Sequence, residues 1–589
     1  MSGEHGACLA RVLDFEARGL FFSAHDAAMV ALDEAPADRR LAFHAVLALA
    51  RSGATAPALS LFQRLGLQGA DDPEVAALEA RLLKDRALDA PAAARAGLLA
   101  RSRDLYLAVW RERGIGYHGV NAATLTLLIG DPAGAAVLAS EVIAAHRDDG
   151  DYWSAATLAE AHLVAGDTLR AFTALDVAAS RPDGDAAMRA ATRRQLRRVL
   201  RALRLSQDLL SILPAPLTLH FCGHLPGTDW DAEREAQLSQ AIDAALDQEA
   251  PGAAFGSLAA GADILVAEAL IRRGVRPNLV LPMPLDRFVA RSVSPFGEGW
   301  VQRFEACRAV SEVTMVDEPP FPGDDLDLAL VSRRAMGLAH LRARHIEGKA
   351  LQIALWDGRP PAGAAGTARD AVVWQQGGSR LRRIEWPWAR RSAFVQAPAP
   401  RQLKSVLFGD LPSFGNLDDA ALAAFYGAPM AAMGAAIDAA KPDYRNAWGD
   451  AVQIVFGDIR AAARCAFALR AALTPARLTA AGLPEVLVPR LALDFGPLLP
   501  VRDAVQGVEK FAGRVMTRAA RVEPVTPPGH VFATEAFACE VALSPEAGLA
   551  CDYSGRIAVA KGFGILPLYA LRKEAHDADA TGEDGRRAP

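Results

Sequence analysis

Two aspartates forty positions apart, Asp410 and Asp450, each sit against an apolar run. KSVLFGDLPSF (Lys404 to Phe414) reads as a strand whose apolar run ends in Asp410, followed by a turn and a helix over Asp418 to Ala440. In NAWGDAVQIVF (Asn446 to Phe456), Gly449 and Asp450 fall in a tight turn between two apolar runs, which predicts a hairpin. Two carboxylates on neighbouring strands could share two Mg2+ or Mn2+ ions, because such cations take a few carboxylates and fill their shell with substrate phosphates. The pair suits nucleotidyl chemistry, one ion activating a hydroxyl while the other neutralises phosphate charge.

A second set lies upstream, in FCGHLPGTDWD (from Phe221), FGSLAAGADILVAEAL (from Phe255) and WDGRPPAGAAGTARDAVVW (from Trp356). Glycines at strand-to-helix turns let a backbone approach a phosphate or ribose. They also serve tight packing alone, and both readings stay open here.

The elements that must position these residues change character along the chain. From about Val12 to Leu213 apolar residues recur at three- and four-residue steps, as in RLAFHAVLALARSG and YWSAATLAEAHLVAGD, so this part is helical. Glycine turns separate helix pairs at a spacing near 35 residues, the arrangement of a solenoid in which one pair cannot bury its own apolar face. After SILPAP, strands such as LTLHFCGH and NLVLPMP alternate with helices as far as KALQIALWDG, which predicts an open parallel α/β sheet. The stretch 375–401 is rich in Arg, Pro and Trp and reads as a linker, and 574–589 reads as a disordered polar tail.

Three resemblances follow from these segments. LALARSGATAPALSLFQRL and LAEAHLVAGDTLRAFTAL look like tetratricopeptide units, which assigns 1–213 to a helical-repeat domain that binds a protein partner. The glycine turns of 214–374 resemble Rossmann-like nucleotide-sensing (SLOG) domains. That resemblance implies Gly223, His224, Gly256, Gly261, Asp263 and Glu268 near a nucleotide-derived ligand. Over 402–573 the order KSVLFGDLPSF, NAWGDAVQIVF, PRLALDFGPLL, FAGRVMTRAARVEP, GHVFATEAFA and GRIAVAKGFGILPLYAL resembles the class III adenylate and guanylate cyclase domain.

The cyclase resemblance implies a ferredoxin-like α+β fold working as a homodimer on a nucleoside triphosphate, with two Mg2+ or Mn2+ ions per site. Asp410, Asp450 and the backbone of Leu411 match its metal ligands, Arg521 its α-phosphate arginine and Lys561 its terminal-phosphate lysine. Three positions depart from the pattern. Thr517 stands where a transition-state asparagine is usual, and Asn446 and Lys510 stand at the base-reading positions. The nucleotide is therefore open. A catalytically inactive scaffold or sensor on the same fold is the alternative.

Bulk composition narrows the field. The chain has 589 residues, enough for several domains, and a net charge of −5 with no field to gather nucleic acid. Six cysteines are scattered without Cys-x-x-Cys spacing, which predicts reduced thiols. With no basic start and apolar run at the N-terminus, and no stretch approaching the length of a membrane helix, a cytoplasmic protein away from membranes is expected.

Overall fold

Asp38, Asp72, Asp131, Asp151, Asp167 and Asp185 each precede a helix and accept hydrogen bonds from its first free N–H groups. Short acidic side chains supply this cap well. Gly114 and Gly130 end helices in the left-handed conformation that glycine adopts without strain. The computed structural model describes residues 2–322, 324–386 and 401–574, and divides into two compact units.

The first unit takes in the chain to Pro216 together with Arg344–Gly348 and the chain from Lys573. Its helices are α1 (Ser2–Ala17), α2 (Phe21–Glu34), α3 (Arg39–Arg51), α4 (Thr55–Arg64), α5 (Pro73–Asp89), α6 (Ala92–Arg113), α7 (Gly116–Ile129), α8 (Pro132–Ala145), α9 (Tyr152–Val164), α10 (Thr168–Ser180) and α11 (Ala186–Ala202). From α1 to α10 successive helices pack as neighbours, and α7 also packs on α9. Close approach depends on small residues: a Cβ on Gly119 would stand 2.5 Å from Val142 and 2.8 Å from Trp110. Helix α11 crosses α1, α7 and α9. Beneath it Gln195 bonds Lys84, Asn121 and Glu160, a polar cluster in an otherwise alanine- and leucine-rich interior.

The second unit takes in Leu217–Ala343 and Lys349–Arg572. Its first half runs β1 (Leu217–Gly223), α12 (Ala232–Glu249), β2 (Ala253–Gly256), α13 (Ala262–Arg272), β3 (Pro277–Pro282), α14 (Leu285–Ser292), α15 (Glu298–Ala309), β4 (Glu312–Val316), α16 (Leu326–His345), β5 (Lys349–Trp356), α17 (Thr367–Gln376) and β6 (Arg380–Glu385). All six strands are parallel, in the order β4-β3-β2-β1-β5-β6. The chain therefore reverses direction across the sheet between β1 and β5, where such folds open a crevice at the strand ends.

The second half runs β7 (Gln402–Asp410), α18 (Asp419–Phe425), α19 (Ala428–Ala440), β8 (Tyr444–Trp448), β9 (Ala451–Phe456), α20 (Ile459–Ala472), α21 (Pro475–Ala480), β10 (Arg490–Asp503), β11 (Val508–Ala512), α22 (Arg514–Val522), β12 (Val531–Thr534), α23 (Glu535–Ala542), β13 (Leu549–Val559) and β14 (Gly564–Lys573). Its sheet has the order β13-β14-β12-β10-β7-β9-β8, with β11 folded back on β10. Helix α22 packs on it through Val515, Met516 and Ala519 against Val406, Val455 and Leu498. The two sheets of this unit meet where α16 crosses α23. A Cβ on Gly337 would lie 2.3 Å from that of Cys539, Arg333 bonds Glu540 at 2.6 Å, and Arg334 bonds Glu535.

Three expectations are corrected. The helix over 418–440 is two, α18 and α19, parted at Gly427 because Pro429 in the first turn of α19 has no N–H to continue α18. The stretch read as a linker from Gln375 contributes the end of α17 and all of the arginine-rich β6, which extends the parallel sheet by pairing with β5; 387–400 lie outside the described residues, as does the tail beyond Glu574. By composition alone Asp419–Ala440 is apolar and long enough to cross a bilayer, although α18 and α19 divide it into two shorter helices. The expectation that no stretch approaches this length therefore does not hold.

Two outcomes are expected. Gly337→Ala forces α16 off α23 and costs about 1–3 kcal/mol in urea unfolding. His25 is buried, donates from Nδ1 to the Ala45 carbonyl at 2.9 Å, and burial lowers its pKa from 6.5 to about 4. The unfolded chain thus takes the proton first. The contribution of His25 to stability is full above pH 6.5 and is lost as pH drops towards 4, by about 3 kcal/mol. His25→Gln should flatten that fall in urea midpoints measured across the window.

Candidate active site

Strand register decides what stands beside Asp410. On one side of β7, Gly409 pairs opposite Val452 of β9; on the other, Asp410 pairs opposite Arg490 of β10. Residues on three adjacent strands are thereby gathered at one sheet end. Gly409 must be small, since a Cβ there would lie 2.7 Å from Leu491. The turn before β9 passes through Gly449 at φ +64, which brings Asp450 to the end of β7, where the Leu411 N–H donates to its Oδ2 at 3.1 Å.

Partial burial, then the hydrogen-bonding and charge of Asp410, push the Asp450 carboxyl up to about 6. The two carboxylates are close enough to repel. Arg490 offsets part of that repulsion, its Nη2 donating to Asp410 Oδ2 at 2.9 Å while its Nε lies 2.8 Å from Glu523. Glu523 follows α22 directly, and burial raises it to about 7 against the pull of Arg490. Sequence reasoning missed Arg490 and Glu523, although each is a charged residue at the edge of an apolar run.

Asp410, Asp450 and the Leu411 carbonyl offer hard oxygen donors only, a set that fits Mg2+ or Mn2+. Among the described residues no group of three or more His, Cys, Asp or Glu gathers as a metal site. Any cation here would complete its shell from backbone, water and phosphate oxygens.

The remaining residues fall into separate groups. Thr517 and Arg521, one helical turn apart, share the outer face of α22. Lys561 is exposed in the turn Ala560–Gly562, at φ +57. Helix and turn are neighbours, with the Arg514 guanidinium 5.8 Å from the Phe563 ring. Asn446 is exposed on the edge strand β8, and Lys510 on β11 is bonded to Asp503 of the same hairpin.

In the parallel sheet, Gly223, His224, Gly261 and Asp263 converge at the reversal between β1 and β5. Asp263 accepts from Gly223 N at 3.0 Å and Ala259 N at 3.2 Å, and His224 Nε2 lies 3.4 Å from Asp357 at the end of β5. Burial pushes Asp263 up to about 7 despite its two backbone donors. Gly261, at φ +89, lets α13 start against the His224 carbonyl. Gly256 packs beneath Phe221, where a Cβ would lie 2.6 Å from the ring. Glu268 is turned to a separate ionic cluster, bonded twice to Arg303 at 2.7 Å. Asp357, which the sequence reading passed over, stands beside His224 at this crevice.

A family model described as TPR-S, Tetratricopeptide Repeats-Sensor, matches residues 24–126. No curated protein matches the chain. Solved structures similar to part of it include cyclases. The adenylyl cyclase CyaB from P. aeruginosa is 20% identical over 30% of this chain and 97% of that one, with a TM-score of 0.27. The guanylyl cyclase Cya2 is 17% identical over 30% and 95%, with a TM-score of 0.26. The guanylate cyclase domain of RhGC from Catenaria anguillulae, in complex with GTP, is 16% identical over 29% and 97%, with a TM-score of 0.25.

If the two carboxylates form a cation site, neutralising one should separate metal binding from folding. In chelator, Asp450→Asn is expected to melt no lower than the parent, because repulsion is relieved and Asn still accepts from Leu411. Mn2+ should raise the parent's melting temperature and leave that of the variant unmoved.

Proposed function

We propose that the second half of the second unit is a nucleotide cyclase of the class III type, converting a nucleoside triphosphate into a 3′,5′-cyclic nucleotide and pyrophosphate. The observation that carries this reading is the forced proximity of Asp410 and Asp450 at one sheet end, joined through Arg490 and Glu523 to the helix bearing Thr517 and Arg521. Asp410, Asp450 and the backbone of Leu411 would hold two Mg2+ or Mn2+ ions, which when bound supply a Lewis acid for the attacking hydroxyl and the phosphates. Arg521 stabilises charge growing on the α-phosphate, Thr517 adds a single hydroxyl hydrogen bond, and Lys561 engages the terminal phosphates. The 3′-hydroxyl releases its proton to water or to the departing pyrophosphate, and its oxygen bonds to the α-phosphorus as the bond to pyrophosphate breaks. Asn446 and Lys510 would face the base.

In this reading two copies of the chain hold the triphosphate at their shared interface in the cytoplasm. The parallel sheet binds a nucleotide-derived ligand at the Gly223–His224–Gly261 crevice, and the helical repeats bind a protein that controls the pair. One observation favours the second reading, an inactive sensor: Lys510 is already bonded to Asp503 instead of being free for a base.

The test is direct. Protein incubated with Mn2+ and each of the four common triphosphates should yield one cyclic product by mass spectrometry, with equimolar pyrophosphate. Arg521→Ala should lower turnover about 10²–10³-fold. A folded dimer giving no product from any triphosphate would sink the proposal.

A further inference from the structure

The second unit contains a line of buried charge that the chemistry above does not use. In the segment between β4 and α16, Asp324 accepts two hydrogen bonds from Arg401, at 2.9 Å and 2.7 Å. Arg401 immediately precedes β7, and its Nη1 lies 3.5 Å from Glu318 Oε1. Glu318 Oε2 lies 3.9 Å from Nη1 of Arg518 on α22. Arg518 then grips Asp494 of β10 through Nε at 2.6 Å and Nη2 at 3.1 Å, and the Thr534 hydroxyl also donates to Asp494. The line runs from the parallel sheet, across the layer boundary, into the helix that carries Thr517 and Arg521.

Its bonds are uneven. Both ends are forked arginine–carboxylate pairs, the strong form of this interaction. The middle is loose: Glu318 is 3% exposed, yet its Oε2 has no hydrogen-bond partner. Three carboxylates share two guanidiniums, so Glu318 is the acid left in surplus. Burial raises it to about 7 against the attraction of Arg518 and Arg401, with Asp494 adding to the rise and Arg514 opposing it. A buried carboxylate so poorly bonded costs more than an apolar contact of the same shape would.

Helix α22 has only nine residues and is tied at both ends. Glu523, directly after it, reaches Asp410 through Arg490. Towards its start, Arg514 bonds Asp317 and Arg518 faces Glu318, so two successive residues leaving β4 hold it. A change at that exit is therefore transmitted to the face bearing Thr517 and Arg521.

We infer that Glu318, a residue of the parallel-sheet layer, is a positioning residue for α22, setting where Thr517 and Arg521 stand for the transfer. The inference rests on the cyclase reading for its catalytic consequence but not for its structural one. If α22 shifts when Glu318 is removed, a misplacement of Thr517 and Arg521 by about 1 Å can cost about 10²-fold in rate.

The experiment uses the full chain with Glu318→Ala, the isosteric Glu318→Gln in case the first fails to fold, and Glu249→Gln as a control ion-pair variant distant from the joint. Hydrogen exchange should show faster amide exchange across Arg514–Val522 in both Glu318 variants, with α20 unchanged, and no effect in the control. In an active protein, kcat should fall about tenfold or more while KM changes less than about twofold. Unchanged exchange across α22, or unchanged kcat in an active protein, would overturn the assignment. If the parent makes no cyclic product from any triphosphate, the cyclase reading falls and the exchange result alone decides for or against the joint.

Discussion

Backbone pairing on both flanks of β7 holds Asp410 between a second carboxylate and a guanidinium, and the candidate site is built outward from that enforced proximity. Two carboxylates in reach of one another repel, and free side chains would part. The ladder with β9 and the left-handed turn at Gly449 leave Asp450 no such freedom. Arg490, fixed opposite Asp410 by the ladder with β10, supplies part of the missing positive charge and passes it on to Glu523. The sheet supports this arrangement through its many hydrogen bonds.

Arginine does most of the joining in the second unit. Arg401 and Arg518 fork onto Asp324 and Asp494, Arg333 and Arg334 join α16 to α23, and Arg303 gathers Glu235 and Glu268 within the parallel-sheet layer. A planar guanidinium satisfies two acceptors in fixed geometry, so buried arginine pairs orient their elements where lysine would only attract. The two sheets of the second unit are thus linked by directional contacts as well as by the close packing of Gly337 on Cys539.

Much of the fold was legible because it rests on local periodicity. Three- and four-residue apolar steps and glycine turns mark the helices of the first unit, and strand–helix alternation marks the parallel sheet. The errors are local conflicts. Gly427 and Pro429 break a helix that apolar composition alone would continue, and the arginines of β6 disguise a strand as a linker because an edge strand can keep its charged side chains in water.

The site divides along the same line. Asp410, Asp450 and the glycine turns could be found from sequence because each is a polar or small residue ending an apolar run, and such residues carry a local signature. Arg490, Glu523, Asp357 and the Glu318–Arg518 joint could not. Their partners lie between 33 and 200 positions away, and which charge meets which depends on strand register and on the stacking of two sheets. The sequence by itself determined which elements form and which residues end them. Only the tertiary structure decided which of those ends share a space, because pairing across strands and layers is set by the packing of the whole unit and leaves no local period to read.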